Sequence, residues 1–238
     1  MRTLSLLPIS AGARRRLRER LRRILRPAVL GPLRRLAPLS ANWGYDRGTP
    51  VDRYYIERFL EAHRRDIRGR VLEIKNRDYT TLYGTGVERS DVLDVDASNP
   101  RATIVADLAA ADAVPGDSFD CFVLTQTLQY IYDTRAAVAH AHRILRPGGV
   151  LLATVPAVSR IDPGAGVEHD FWRFTTAACA ALFGGAFGPG RVEVAARGNL
   201  FTSVAFLSGM AREELTEREL RTDDPYFPLV VTVRAVKG

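Results

Sequence analysis

Lysine is almost missing from this 238-residue chain: of its 34 basic residues only Lys75 and Lys237 are lysine, and the other 32 are arginine. Cysteine is just as scarce. Cys121 and Cys179 stand among apolar or small neighbours, too few for a zinc site or a disulfide framework. Both are expected as reduced core residues in a reducing compartment, the cytoplasm, and no metal site is expected. No apolar run approaches the roughly 20 residues that a membrane-spanning helix needs. With 46% hydrophobic and 26% charged residues, the composition excludes collagen-like and wholly disordered classes and fits a soluble globular protein.

The charge is concentrated at one end. Residues 1–40 hold 11 arginines against a single acid, Glu19, a net of +10, whereas the remainder carries 23 basic and 26 acidic residues. That remainder has no basic surplus for a nucleic-acid-binding face. Within the arm, Leu17, Leu21, Ile24 and Leu25 recur at helical spacing among Arg14–Arg16, Arg18, Arg20, Arg22 and Arg23, which predicts a basic amphipathic helix ended by Pro27. Such a helix can lie on anionic lipid, dock on an acidic partner or flank the body as a solvated element. The stretch Leu4–Ile9 is short, broken by Pro8 and followed by most of the arginines, which is not the pattern of a secretory signal. The expected organisation is an arm and linker over residues 1–40 and one domain over 41–238.

In the body, a helix is expected from Pro50 to about Arg65, with Thr49 as its cap. VLEI (71–74), DVLDVD (91–96), ATIVADL (102–108), FDCFVLTQTL (119–128) and GGVLLATVP (148–156) follow as short apolar strands, with a helix across 134–145. Strands alternating with helical or linking stretches predict an α/β fold with a doubly wound, mostly parallel sheet. RVEVAA (191–196) and PLVVTVRAVK (228–237) add two more strands around a helical pattern at Phe201–Met210. Ligands of such sheets bind beyond the carboxyl ends of the strands. Three acids, Glu73, Asp96 and Asp107, are expected at such ends, and an acid closing the second strand suits a pair of ribose hydroxyls.

From about Val71 to Pro156 the chain resembles the class I S-adenosylmethionine-dependent methyltransferases. VLEI is similar to the family's first motif strand, VDAS (95–98) to its second, ADL (106–108) to its third, VPGDSFDCFVLTQTLQYI to the stretch through the fourth strand, and HRILRPGGVLLATVP to the helix, turn and fifth strand. The resemblance implies a Rossmann-like seven-stranded sheet with an antiparallel last strand, and S-adenosylmethionine as cofactor. WGYDRGTPVDRYYIERFL and DFWRFT further resemble a bacterial subgroup often found beside or fused to glycosyltransferases. By the same resemblance Glu73 faces the methionine end of the cofactor, Asp96 the ribose, and Asp107 with Leu108 the adenine edge. Thr125 and Gln126 line the transfer site, and Arg53 with Tyr54 closes over the cofactor carboxylate. The chain departs from the family in its first loop, where Lys75, Asn76, Arg77 and Asp78 replace glycines that let a backbone approach the cofactor. Either side chains such as Asp78 and Tyr79 hold the cofactor, or it is not bound.

His169 follows the fifth strand, where acceptor loops belong, and is the candidate base, oriented by Asp170 or Glu168. Trp172, Phe171 and Phe174 can wall an acceptor pocket or belong to the core. Two functions are consistent with these residues. One is methylation of a hydroxyl on a sugar, glycolipid or other small molecule. The other is a noncatalytic subunit of the same fold whose arm docks on a membrane or a glycosyltransferase.

Overall fold

The computed structural model describes residues 11–25, 31 and 34–238. The chain divides into two compact units, Met1–Ala37 and Pro38–Gly238. In the first, the basic helix is present as α1 (Ala11–Leu25), with Arg15 paired to Glu19 one turn away at 2.9 Å. Leu17, Leu21, Ile24 and Leu25 are all exposed. Leu4–Ile9, Pro27 and Pro32 lie outside the described residues. No described helix is long and apolar enough to cross a membrane.

The second unit is built on one sheet. Its elements run α2 (Val51–Ala62), β1 (Gly69–Ile74), α3 (Asp78–Tyr83), β2 (Val87–Asp94), β3 (Ile104–Val105), β4 (Phe119–Thr125), α4 (Thr134–Ile144) and β5 (Leu145–Pro156). They continue with α5 (Thr176–Phe187), β6 (Val192–Arg197), α6 (Leu200–Ser208), α7 (Glu217–Arg221) and β7 (Val230–Val236). The strand order is β3-β2-β1-β4-β5-β7-β6, with β7 antiparallel to both its neighbours and the other pairs parallel. This is the seven-stranded, mostly parallel sheet expected from the sequence.

Register explains the two-sided core. Val71, Cys121 and Val150 are cross-strand partners in one row, and Leu72, Phe122 and Leu151 in the next. Because successive side chains of a strand point to opposite faces, the first row packs with Ile56, Phe59 and Leu60 of α2, and the second with Ala137, Val138 and Ala141 of α4 and Phe183 of α5. Strands buried on both faces read as continuous apolar runs, which is why they were visible in the sequence. Both cysteines are buried and free, and Cys179 packs in the second layer.

The boundaries moved in three places that matter for the site. Helix α2 begins at Val51 with Pro50 as its cap position, and Thr49 instead donates its hydroxyl to Glu213 at 2.8 Å. Strand β2 ends at Asp94, not Asp96. Strand β3 keeps only two residues of ATIVADL, and Asp107 caps a short 3-10 turn by accepting the Ala109 N–H at 2.9 Å.

Candidate active site

The sheet reverses direction of growth between β1 and β4, so their carboxyl ends open the crevice where ligands of such sheets bind. Glu73, next to the end of β1, accepts N–H groups from Tyr79 (3.1 Å) and Thr80 (2.7 Å). It thereby ties the loop after β1 and the first turn of α3 back to the strand. Burial pushes this carboxyl upward from its ordinary value despite those donors. Lys75, standing where a glycine was expected, itself adopts a left-handed backbone with φ of 64°. For a residue with a Cβ that costs roughly 1–2 kcal/mol. The turn is held by the Lys75 N–H on the Leu93 carbonyl and by Asn99 Nδ2 on the Lys75 carbonyl. Gln126, just past β4, repeats the device with φ of 46° and its N–H on the Thr154 carbonyl.

Above these two turns lies a cavity of about 310 Å³. Helix α2 contributes Asp52 and Arg53, the first loop Lys75 and Asn76, the end of β4 Thr125 and Gln126, and the segment after β5 Arg160, Asp162, Asp170 and Arg173. Eight buried side-chain polar atoms among the described residues have no hydrogen-bond partner, and five of them line this cavity: Asp52 Oδ1, Arg53 Nε, Gln126 Nε2, Gln129 Oε1 and Arg160 Nε. Each such group left unpaired costs about 1–3 kcal/mol, so their concentration in one place marks a surface built to receive a polar ligand.

Asp52 and Arg53 are adjacent in the first turn of α2. Burial raises the Asp52 carboxyl above its ordinary value, with Arg53 opposing. For Arg53 burial works against the charge, but Asp52 and Tyr79 outweigh it and hold the guanidinium firmly protonated. Arg53 Nη1 donates to the Tyr79 hydroxyl at 2.7 Å, while its Nε is buried without a partner.

The DFWRFT segment is a brace. Asp170 pairs with Arg173 and accepts the Asp162 N–H at 2.9 Å, while Arg173 donates to the carbonyls of Ser159 (3.3 Å) and Arg160 (2.7 Å). Trp172 donates its indole N–H to the Ile131 carbonyl at 3.1 Å, and the Gln129 carbonyl accepts the N–H groups of Phe171 and Trp172. The loops after β4 and β5 are thus locked to each other along one wall of the cavity. Arg173 holds the Asp170 carboxyl below its ordinary value against the effect of burial.

Of the residues singled out in the sequence, the cavity brings together Arg53, Glu73, Lys75, Thr125, Gln126 and Asp170. Asp170, however, serves the brace and not His169. His169 itself is exposed and outside the lining, its ring 6.4 Å from that of Phe171. Asp170 is spent on Arg173, and Val167, Glu168 and His169 are exposed. Tyr54 turns away from the cavity into the cluster with Leu215 and Leu220, its hydroxyl accepting from Arg58 at 3.0 Å. Asp78 is exposed, 3.9 Å from Arg101. Asp96 is exposed two residues beyond β2 and accepts the Ser98 N–H, so the acid that ends the strand is Asp94, which holds Asn99 at 2.7 Å. Leu108 is buried in the core beneath α4. Phe174 is core, whereas Phe171 and Trp172 form a half-exposed cluster with Tyr132. Sequence reasoning missed Asp52, Gln129, Tyr130 and Arg160. Arg160 lies in a segment with no motif, and Asp52 is an acid in the first turn of a helix, where acids are common.

Residues 68–153 match the methyltransferase domain family. The matched stretch runs from just before β1 into β5. Across 83 residues the chain is 32% identical to a protein of Mycolicibacterium smegmatis named "probable S-adenosylmethionine-dependent methyltransferase"; the match covers 35% of this chain, and the chain spans about a third (32%) of that relative's length. Among solved structures, an Archaeoglobus fulgidus S-adenosylmethionine-dependent methyltransferase superposes at a TM-score of 0.52 with 12% identity, covering 78% of this chain and 94% of its own. The Haemonchus contortus phosphoethanolamine N-methyltransferase 2, solved with S-adenosyl-L-methionine, gives 0.51 with 14% identity over 79% of this chain and 57% of its own. The [4+2]-cyclase SpnF gives 0.52 with 14% identity over 98% of this chain and 99% of its own. The fold shared with these structures therefore extends beyond residues 68–153. One fold carries differently named reactions, so activity has to be argued from the cavity.

Proposed function

We propose that the protein is an S-adenosylmethionine-dependent methyltransferase acting on a hydroxyl of a small molecule, a sugar ring or glycolipid headgroup included. The observation that carries this reading is a cavity at the β1–β4 crevice lined by five residues with unpartnered buried polar atoms, in a chain whose residues 68–153 match the methyltransferase domain family. Two of these residues suit the cofactor's amino-acid end: the charged Arg53 would take its carboxylate, and the Gln126 side-chain amide is a further donor.

When bound, S-adenosylmethionine supplies an electrophilic methyl on a sulfonium. An acceptor hydroxyl that took the methyl would have to release its proton to a residue of this chain. Asp52 is the carboxylate placed for it: it lines the cavity, its Oδ1 has no partner, and burial raises its affinity for a proton. The locked loops at Gln126–Tyr130 and Ser159–Asp162 hold the acceptor side, and positioning supplies much of the rate in such a displacement. The aromatic cluster of Tyr132, Phe171 and Trp172 beside Gln129 suits the apolar face of a sugar ring.

Calorimetric titration with S-adenosylmethionine and S-adenosylhomocysteine tests the reading. Saturable binding of both at one site is expected, and absence of binding by a folded protein overturns it. For the arm, α1 carries the proposal of peripheral membrane association. Its leucines form an exposed stripe beside arginines. Full-length protein should co-sediment with anionic vesicles and less so at high salt, and Leu21→Asp should weaken the association by removing apolar insertion. Equal recovery with neutral and anionic vesicles would refute it.

A further inference from the structure

Resting on the methyltransferase reading, a more specific statement about the acceptor follows from Arg160. Its guanidinium carbon lies 3.9 Å from the centroid of the Trp43 ring. Its Nε is buried without an acceptor, and among the described residues it forms no ion pair. The other acids of the cavity are engaged elsewhere: Asp170 with Arg173, Asp162 with the Tyr130 hydroxyl (2.9 Å) and the Gly164 N–H (2.8 Å), and Glu73 with the start of α3. Arg53 has Tyr79 and the neighbouring Asp52. Arg160 is thus a cavity-lining guanidinium that no carboxylate pairs with among the described residues.

Both supports of that guanidinium are rigidly built. From below, the Asp170–Arg173 pair holds the Ser159 and Arg160 carbonyls and the Asp162 N–H. From the side, the Trp43–Gly44 turn has left-handed backbone at both residues (φ 50° and 93°) and is pinned by Ser40 Oγ accepting the Asn42 and Gly44 N–H groups at 3.0 Å. A Cβ on Gly44 would meet the Met210 carbonyl oxygen at 2.7 Å, so only glycine lets this turn close against the end of α6. An indole face under one side of a guanidinium leaves its terminal Nη–H groups, which here make no hydrogen bond among the described residues, as a fork for an oxyanion.

We propose that Arg160, backed by Trp43, receives an anionic group of the methyl acceptor, a carboxylate or a phosphate, so that the substrate is an acidic small molecule bearing the hydroxyl to be methylated.

The test uses the full chain and its two tryptophans. Their indole N–H signals are assigned by loss of one in Trp172→Phe, and inorganic phosphate or acetate is titrated against chloride at equal ionic strength, with S-adenosylhomocysteine saturating. The Trp43 signal should move saturably with phosphate or acetate, and the anion that saturates at the lower concentration identifies the group. Arg160→Gln should abolish the saturable shift, and Arg160→Lys should weaken it at least fivefold by removing the fork while keeping the charge. Calorimetric binding of S-adenosylhomocysteine by Arg160→Gln should match wild type, which also shows that the variant is folded. A response shared with chloride, or one that persists in Arg160→Gln, overturns the proposal while cofactor binding leaves the methyltransferase reading intact. Saturable, Arg160-dependent anion binding by a protein that does not bind S-adenosylhomocysteine supports the anion site and overturns the methyltransferase reading instead.

Discussion

Asp52→Asn should lower methyl transfer by about 10²–10⁴-fold, the usual scale for losing a general base, and at the same time raise the melting temperature at neutral pH. The two effects share one cause. Burial raises the Asp52 carboxyl above its ordinary value of 3.8. The folded protein therefore binds a proton more tightly there than the unfolded chain does. The associated stability is fully present below the unfolded value and is lost as pH rises through the raised one, since above it the fold must hold a buried carboxylate. Asparagine keeps the shape and removes that charge, and in a chain of this size each 1 kcal/mol gained is worth about 2–4 °C. The gain should shrink as pH falls and Asp52 protonates in the wild type. Wild-type turnover should rise with pH as Asp52 loses its proton, and the variant should lack that limb. Release of S-adenosylhomocysteine in the presence of hydroxyl acceptors, with melting curves across pH, measures both. A variant that is as active as wild type, or less stable at neutral pH, would remove Asp52 from the chemistry.

Arg53→Gln should weaken binding of S-adenosylmethionine by about 10–100-fold, the loss of a hydrogen bond between charged groups worth about 1.5–3 kcal/mol. The effect must track the ligand's carboxylate. 5′-Methylthioadenosine, which lacks the amino-acid end, should bind wild type and variant alike. Arg53→Lys should recover part of the affinity, because it restores the charge without the guanidinium edge. Since Arg53 also opposes the burial of Asp52, the variant should shift the pH dependence of turnover upward. Equal weakening of both ligands in calorimetry would show that Arg53 only supports the Tyr79 turn through its 2.7 Å hydrogen bond.

The sheet was legible because its strands are buried on both faces and so appear as uninterrupted apolar runs such as VLEI and FDCFVLT. The floor of the cavity was legible for the same reason: Glu73, Thr125 and Gln126 are set by where strands end. Strand ends are also where the reading slipped. DVLDVD offers acids at both 94 and 96, and nothing local tells that pairing stops at Asp94. The glycine-poor loop could not be judged from composition, because Lys75 takes a glycine's conformation at a cost that its pinned carbonyl and N–H offset. Asp52 and Arg160 were hidden for a different reason. Their environment is made by segments far away in sequence: Phe206, Leu229 and Val230 share the cavity with Asp52, and Trp43 meets Arg160 across more than a hundred residues.

Strand β7 is the last of the seven to leave the ribosome, yet it occupies an interior position between β5 and β6. Until it arrives, β5 has an open edge and β6 has no partner, because both pair only with β7 on that side. Leu229 and Val230, at the head of this strand, also complete the cavity wall. A nascent chain therefore carries six of the seven strands while still lacking a closed cavity wall. Ligand binding should switch on late and abruptly during biosynthesis, and the exposed β5 edge leaves the emerging chain open to wrong pairing with other chains during that interval.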